Sequence, residues 1–212
     1  MPTPTWERLD PARRNAVIAA AEDEFAEHGF SSGSLNAIAR NAGVAKGSLF
    51  QYFTDKADLY AYMAERASTR VRDAMAEHIA SADWAGDYWG AMTDLLVHWQ
   101  AYFFTHPLER AFTEAVNLES ERAARPAIRR AVNDFYIDSL RPLLTLGQDL
   151  GVVGRDTDIE AVLALLLMVL PQAALAPHNA YLDPLLGLGD ADPTVRRQGI
   201  DRIIALLRAM AA

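Results

Sequence analysis

Three observations predict an all-α fold. Proline and glycine, 10 and 12 of the 212 residues, are scarce inside long Ala/Leu/Arg/Glu-rich segments. No run alternates apolar and polar residues as a half-buried strand does. Apolar residues recur instead at helical spacing, between residues that start and stop helices.

Taken in order, the first helix is expected over 11–28. Asp10 can cap it, Pro11 suits its first turn, and Gly29 can end it. Its apolar face is Ile18, Ala21 and Phe25, with Val17 alongside. A short helix over 34–41 follows, capped by Ser34 and burying Leu35, Ile38 and Ala39. Gly43 fits the left-handed position after it, where a Cβ is costly. A third helix over 46–53 buries Leu49 and Phe53 at i, i+4. Thr54 or Asp55 then caps a longer helix ending near 79. Further helices are expected near 83–104, 107–118, 121–150, 157–176 and 194–211. They are separated by His106-Pro107, by Gly151 with Gly154, and by the Gly/Pro/Asp-rich stretch 177–193. The expected division is an N-terminal three-helix domain over 11–65 and a larger helical domain over 66–212.

The composition narrows the function classes. With no cysteine, disulfides and thiolate metal sites are excluded. His78, His98, His106 and His178 lack paired metal spacing, so no metal is expected, and no cofactor either. There is no Gly-rich phosphate loop and no nucleophile motif, which argues against an enzyme. The start carries no basic-then-apolar leader. The stretch 161–177 is nearly all apolar but short of the about 18–20 residues of a spanning helix, and Pro171 interrupts it. The expectation is a cytoplasmic protein with no membrane partner, and this helix is expected at an interface.

A net charge of −8 argues at first against a nucleic-acid partner. The acidity is unevenly spread. Residues 1–56 hold six cations against seven acids, and between Glu27 and Asp55 there is no acid at all. The chain's two lysines, Lys46 and Lys56, bracket the end of that window, while its other eighteen cations are arginine. The same window has the layout of a helix-turn-helix: two short helices joined by a tight Gly turn. Its second helix offers Lys46, Gly47, Ser48, Gln51 and Tyr52, more polar groups than so short a segment can bury. A cation, a side-chain-free backbone, a hydroxyl, an amide and a phenol are the groups that contact phosphates and base edges. Gln51 suits a bidentate contact to adenine, and Lys46 a phosphate or guanine. Lys56 falls at the start of the next helix, where free N–H groups also favour an anion.

The segment from Phe30 to Tyr60 resembles the N-terminal domain of the tetracycline-repressor (TetR) family. The resemblance rests on Leu35-Asn36-Ala37-Ile38-Ala39, on Ala42-Gly43-Val44-Ala45-Lys46-Gly47-Ser48-Leu49-Phe50 and on Tyr52-Phe53-Thr54-Asp55-Lys56-Ala57-Asp58-Leu59. It covers roughly residues 11–65. It implies a homodimer that binds a near-palindromic double-stranded DNA operator and is released by a small hydrophobic effector. Carried over by position, Ser32 and Ser34 would meet phosphate, Lys46, Gly47, Ser48, Gln51 and Tyr52 would face the groove, and Lys56 would meet the backbone. The family often has tyrosine where this chain has Phe50, which removes a phosphate hydrogen bond and leaves contact with a thymine methyl. An effector-independent architectural DNA-binding protein and an all-helical enzyme are the alternatives.

In the C-terminal part, Ile200, Ile203, Ile204 and Leu207 form an apolar stripe at i, i+3, i+4, i+7, and the segment from Ile159 to Leu170 is apolar nearly all round. A helix apolar on every side must be covered on every side. The resemblance implies a four-helix dimer interface from these two helices, with the dimer face expected at Ile159, Val162, Leu166, Ile200, Ile203, Ile204 and Leu207; the alternative is that both helices serve only the subunit core. Large side chains at Met92, Leu96, Trp99, Phe103, Phe112, Tyr136 and Met168 are the candidate lining of a ligand pocket.

Overall fold

The structure, a computed structural model, describes residues 2–118, 125–179 and 181–211. Ten α-helices are described: α1 (Pro4–Glu7), α2 (Pro11–Ser32), α3 (Leu35–Asn41), α4 (Lys46–Tyr52), α5 (Lys56–Ser81), α6 (Tyr88–Thr105), α7 (Pro107–Leu118), α8 (Arg125–Asp149), α9 (Ile159–Leu175) and α10 (Pro193–Met210). Among the described residues there is no strand. The expected start of α8 at 121 lies outside the described residues. The α1 helix was not expected: a four-residue helix carries too few apolar positions to show a period, although Pro4 in its first turn is a start signal.

Two compact units emerge, Met1–Arg70 with Pro107–Asn133, and Val71–His106 with Asp134–Ala212. They differ from a single cut at 65/66, because α7 packs against α2 and so joins the first unit.

In the first unit, Asp10 caps α2 by accepting from the Arg13 N–H, and Val17, Ala21 and Phe25 are fully enclosed. At Gly29 the helix breaks (φ 65°), a left-handed value that glycine reaches without steric penalty. One more turn follows, closed by the Gly33 N–H on the Gly29 carbonyl at 3.2 Å. A Cβ on Gly33 would lie 2.6 Å from that carbonyl and 2.8 Å from the Phe25 ring, so no larger residue fits. Phe25, Phe30 and Phe112 all pack on the Tyr60 ring, with centroids 4.8, 5.5 and 5.8 Å away. Phe112 is thus 2% exposed in this unit's core, which corrects its assignment to a ligand pocket.

The second unit is built around α6, which packs against α9 and α10. Asp87 caps α6 through the Gly90 N–H at 3.0 Å. Buried Gln100 donates to the Ala173 carbonyl at 3.2 Å. That carbonyl would ordinarily accept from residue 177, which is proline and has no N–H. Gln100 therefore satisfies a group that Pro177 orphans, and α9 passes at that point into a 3₁₀ turn, Ala176–His178.

The dimer-face expectation is corrected here. Val162, Leu166, Ile200 and Ile204 are 5, 6, 3 and 5% exposed, buried inside the subunit, and Ile159, Ile203 and Leu207 are half-buried. The apolar side chains that face outward are Leu165, Met168 and Val169 on α9 and Leu206 and Met210 on α10. The i, i+3, i+4, i+7 stripe of α10 packs on the subunit's own core, as an amphipathic stripe does by default.

Candidate nucleic-acid interface

The helix-turn-helix is α3, the turn 42–45, and α4. Ser34 Oγ accepts from the Ala37 N–H, and the Ser34 N–H donates to Glu24 Oε1 at 2.7 Å, which ties the start of α3 to α2. Gly43 takes φ 66°, and Val44 N–H closes the turn on the Ala39 carbonyl at 2.9 Å. Ile38 and Leu49, 0 and 2% exposed, anchor the two helices in the core.

That anchoring sets the outward face of α4. Lys46, Gly47, Phe50 and Gln51 are exposed and Ser48 is half-exposed, whereas Leu49, Tyr52 and Phe53 point inward. A Cβ on Gly47 would meet nothing within 4 Å, so its bare backbone is open to a close approach from outside. Phe50 is 49% exposed, unusual for an aromatic side chain with a core a turn away. Cation, bare backbone, hydroxyl, amide and apolar ring thus lie side by side on one turn and a half of helix.

Three expected contacts change. Tyr52 is 4% exposed and packs on Trp6, with ring centroids 5.6 Å apart, so it is a core residue rather than a groove residue. Ser34 is half-buried, and its hydroxyl and amide are already engaged as above; Ser32 is exposed at the end of α2. The Lys56 ammonium donates to the Ser31 carbonyl at 3.2 Å and stands 4.7 Å from the Phe30 ring centre. It pins α5 to the end of α2, with its remaining donors left over for an anion. Asp55, rather than Thr54, caps α5 by accepting from the Asp58 N–H at 2.8 Å.

The N-terminal segment is the part that sequence reasoning missed. Helix ends leave their last carbonyls unpaired. Thr3 fills two of these on α4: its N–H donates to the Tyr52 carbonyl at 2.9 Å and its Oγ1 to the Gln51 carbonyl at 2.5 Å. Trp6, 2% exposed, lies over Tyr52, Phe53 and Tyr62 and donates its indole N–H to the Tyr62 hydroxyl at 3.3 Å. The available signal was a tryptophan beside a proline start, in a stretch with no other claim on it.

The second unit holds a cleft enclosing ≈ 450 Å³, its opening to solvent included. Leu96, Trp99 and Tyr136 line it, joined by Arg72, Met75, Leu95, Phe135, Ser139 and others. Met92 and Leu96 line a second hollow of ≈ 410 Å³, its opening to solvent included, against Val162, Leu166 and Leu207. Two pocket expectations are corrected. Phe103 lines neither cavity and is 1% exposed, edge-on to the Trp99 ring at 5.3 Å. Met168 is 69% exposed, on the outer side of α9. Burial pushes the Tyr88 phenol up to about 12 and the fully enclosed Tyr136 phenol higher still, so both stay neutral; Tyr88 donates to the Leu143 carbonyl at 3.0 Å.

The family model for "Bacterial regulatory proteins, tetR family" matches residues 17–63, the stretch from α2 into α5. The chain is 27% identical over 127 residues to the HTH-type transcriptional regulator AcrR of Shigella flexneri, covering 59% of this chain and 58% of that protein. It is 26% identical over 157 residues to the "Probable acrEF/envCD operon repressor" of Escherichia coli K12, covering 72% and 70%. The matched stretch is thus little more than half the length of the first of these relatives. Among solved structures, the transcriptional regulator FadR from Bacillus subtilis in complex with stearoyl-CoA superposes with a TM-score of 0.69 at 18% identity, covering 90% of this chain and 96% of that one. At that identity the likeness speaks for the fold.

Proposed function

We propose that this chain, whose residues 17–63 match the model of the bacterial tetR regulatory proteins, is a ligand-responsive DNA-binding transcriptional repressor of that family. It binds a near-palindromic operator as a homodimer and lets go when a small hydrophobic effector enters the second unit. The matched relatives are transcription regulators and not enzymes. The observation that carries the reading is the outward face of α4. In a chain of net charge −8, this face alone combines a lysine, an open glycine backbone, an exposed aromatic ring and a glutamine without a nearby acid in sequence.

The groove face carries Lys46, Gly47, Ser48, Phe50 and Gln51, of which Lys46 reaches a phosphate at the groove edge, with Ser32 and the spare donors of Lys56 also at the phosphate backbone. The DNA-binding domain is 11–65 with α1 packed under it, and the remainder carries effector binding and dimerisation. Dimerisation uses the outward faces of α9 and α10, centred on Leu165, Met168, Val169, Leu206 and Met210. The stretch Ile159–His178 is long and apolar enough to cross a membrane, but half of it is buried in the protein. A second copy of the chain, rather than lipid, covers the rest. Two-fold pairing places two recognition helices about 34–36 Å apart, on successive major grooves. A DNA target puts the site of action in the cytoplasm.

The test is a gel-shift titration of purified protein against the promoter region beside its own gene, with unrelated DNA as competitor. A complex that unrelated DNA fails to displace is the expected result. Equal affinity for both DNAs across the salt range would overturn specific regulation.

A further inference from the structure

The lining of the ≈ 450 Å³ cleft constrains the chemistry of its occupant, given the effector reading above. The walls are hydrocarbon and aromatic: Met75, Leu95, Leu96, Leu140 and Leu143, with Phe135 across from them. The ≈ 450 Å³ counts the open mouth as well as the interior, so the enclosed part is much smaller and admits a slender body only. Such walls demand an apolar body.

The polar groups in the lining are one-sided. Trp99 is 6% exposed, and its indole N–H is buried with no acceptor among the described residues. An N–H in that position gains from any oxygen that reaches it, because it has lost water and gained nothing in return. Among the described residues, Arg72 is the single charged residue of the lining and no carboxylate is present there. Its side chain is half-exposed, and its one ion pair among the described residues, to neighbouring Asp73, spans 3.7 Å, beyond hydrogen-bond distance. The guanidinium fork is therefore available at the edge of the cleft. The Ser139 hydroxyl proton is already used on the Phe135 carbonyl at 2.8 Å. Tyr136 is held neutral by its burial, so it adds no negative charge. A lipophilic cation would find no counter-charge here and would meet Arg72.

We propose that the cleft binds a slender amphipathic carboxylate. Its apolar body lies along Leu95, Leu140 and Leu143, and its carboxylate meets the Arg72 guanidinium with one oxygen and the Trp99 N–H with the other. A planar fork on a carboxylate is the strongest pairing open to Arg72.

Titration calorimetry on the full-length protein without DNA tests this with three probes of equal chain length: decanoate, decanol and decyltrimethylammonium. Decanoate is expected to bind about tenfold or more tighter than decanol, the usual worth of one charge-assisted hydrogen bond, and the cation not at all. Arg72→Gln, at an exposed position, should bring decanoate down to the affinity of decanol and leave decanol unchanged. Trp99→Phe keeps the ring and should weaken decanoate while circular dichroism shows an intact fold. Equal binding of the cation, no binding of decanoate by folded protein, or an Arg72→Gln variant that still prefers decanoate to decanol would each overturn the assignment. Operator release is scored separately by gel shift. Decanoate that binds but releases no DNA leaves the site assigned and removes its effector role, and a protein that binds no operator fails the regulator reading alone.

Discussion

Arg70 sits between two acids, donating to Glu22 at 2.7 Å and to Glu109, whose side chain is 6% exposed. Arg66 adds a longer contact to Glu22 at 3.7 Å. Three helices of the first unit, α2, α5 and α7, are tied by this one guanidinium. Removing a partner from a buried pair leaves an uncompensated charge, so Arg70→Ala should cost about 3 kcal/mol, read as a lowered midpoint in urea unfolding. On the recognition helix, neighbouring side chains have opposite fates: Gln51 reaches solvent while the Tyr52 ring is enclosed by Trp6. The proposed contacts then separate by role. Lys46→Ala should weaken binding to all sequences alike and lower the salt slope by about one, as for a lost phosphate contact. Gln51→Ala should instead relax preference at one base position by about 1–3 kcal/mol. Gel shifts over a salt series and over single-base operator variants measure both, and a parallel loss in the two mutants would refute the division. Lys56→Ala is a poorer probe, because it also releases the Ser31 carbonyl and the Phe30 ring.

At the scale of elements, α4 has seven residues, far fewer than the roughly 12–15 at which an isolated helix becomes even marginally stable. Its rigidity must come from neighbours, and α1 with Thr3 is one of them. Trp6→Ala opens a large cavity under α4 and should destabilise the protein by about 3–5 kcal/mol. Thr3→Val is the milder probe, since it removes the Oγ1 bond to Gln51 and keeps the shape. Operator affinity should fall in both variants at temperatures where circular dichroism shows the fold intact; unchanged affinity would mean that α4 holds its place without the N-terminal segment. The capping residues, the Gly43 turn and the spans of α3 and α4 were readable in advance, because each depends on residues within four positions. The α1 helix was not, because Thr3 and Trp6 hold it through contacts with residues 46 or more positions away.

At the scale of the whole molecule, the proposed dimer rests on α9. Its outer side chains Leu165, Met168 and Val169 are 43, 69 and 41% exposed, on a helix with one acid in its first turn and no other charge. Leaving that surface in water is unfavourable at about 25 cal/mol per Å². Met168→Asp combined with Leu206→Asp should convert a dimer to a monomer by sedimentation, with the helical signal retained, and should abolish tight operator binding. A double mutant that stays dimeric would move the interface elsewhere.

The helix-turn-helix, its polar outward residues and the all-helical class follow from spacing and caps in the chain, since hydrogen bonding and amphipathicity within a short helix are local. The inner and outer sides of α9 do not. Where every position is apolar the helical period carries no direction, and packing among α6, α8 and α10 turns Val162 and Leu166 inward and leaves Met168 outward. The same holds for the cleft: Trp99, Tyr136 and Arg72 lie far apart in sequence, and the fold brings them to one lining.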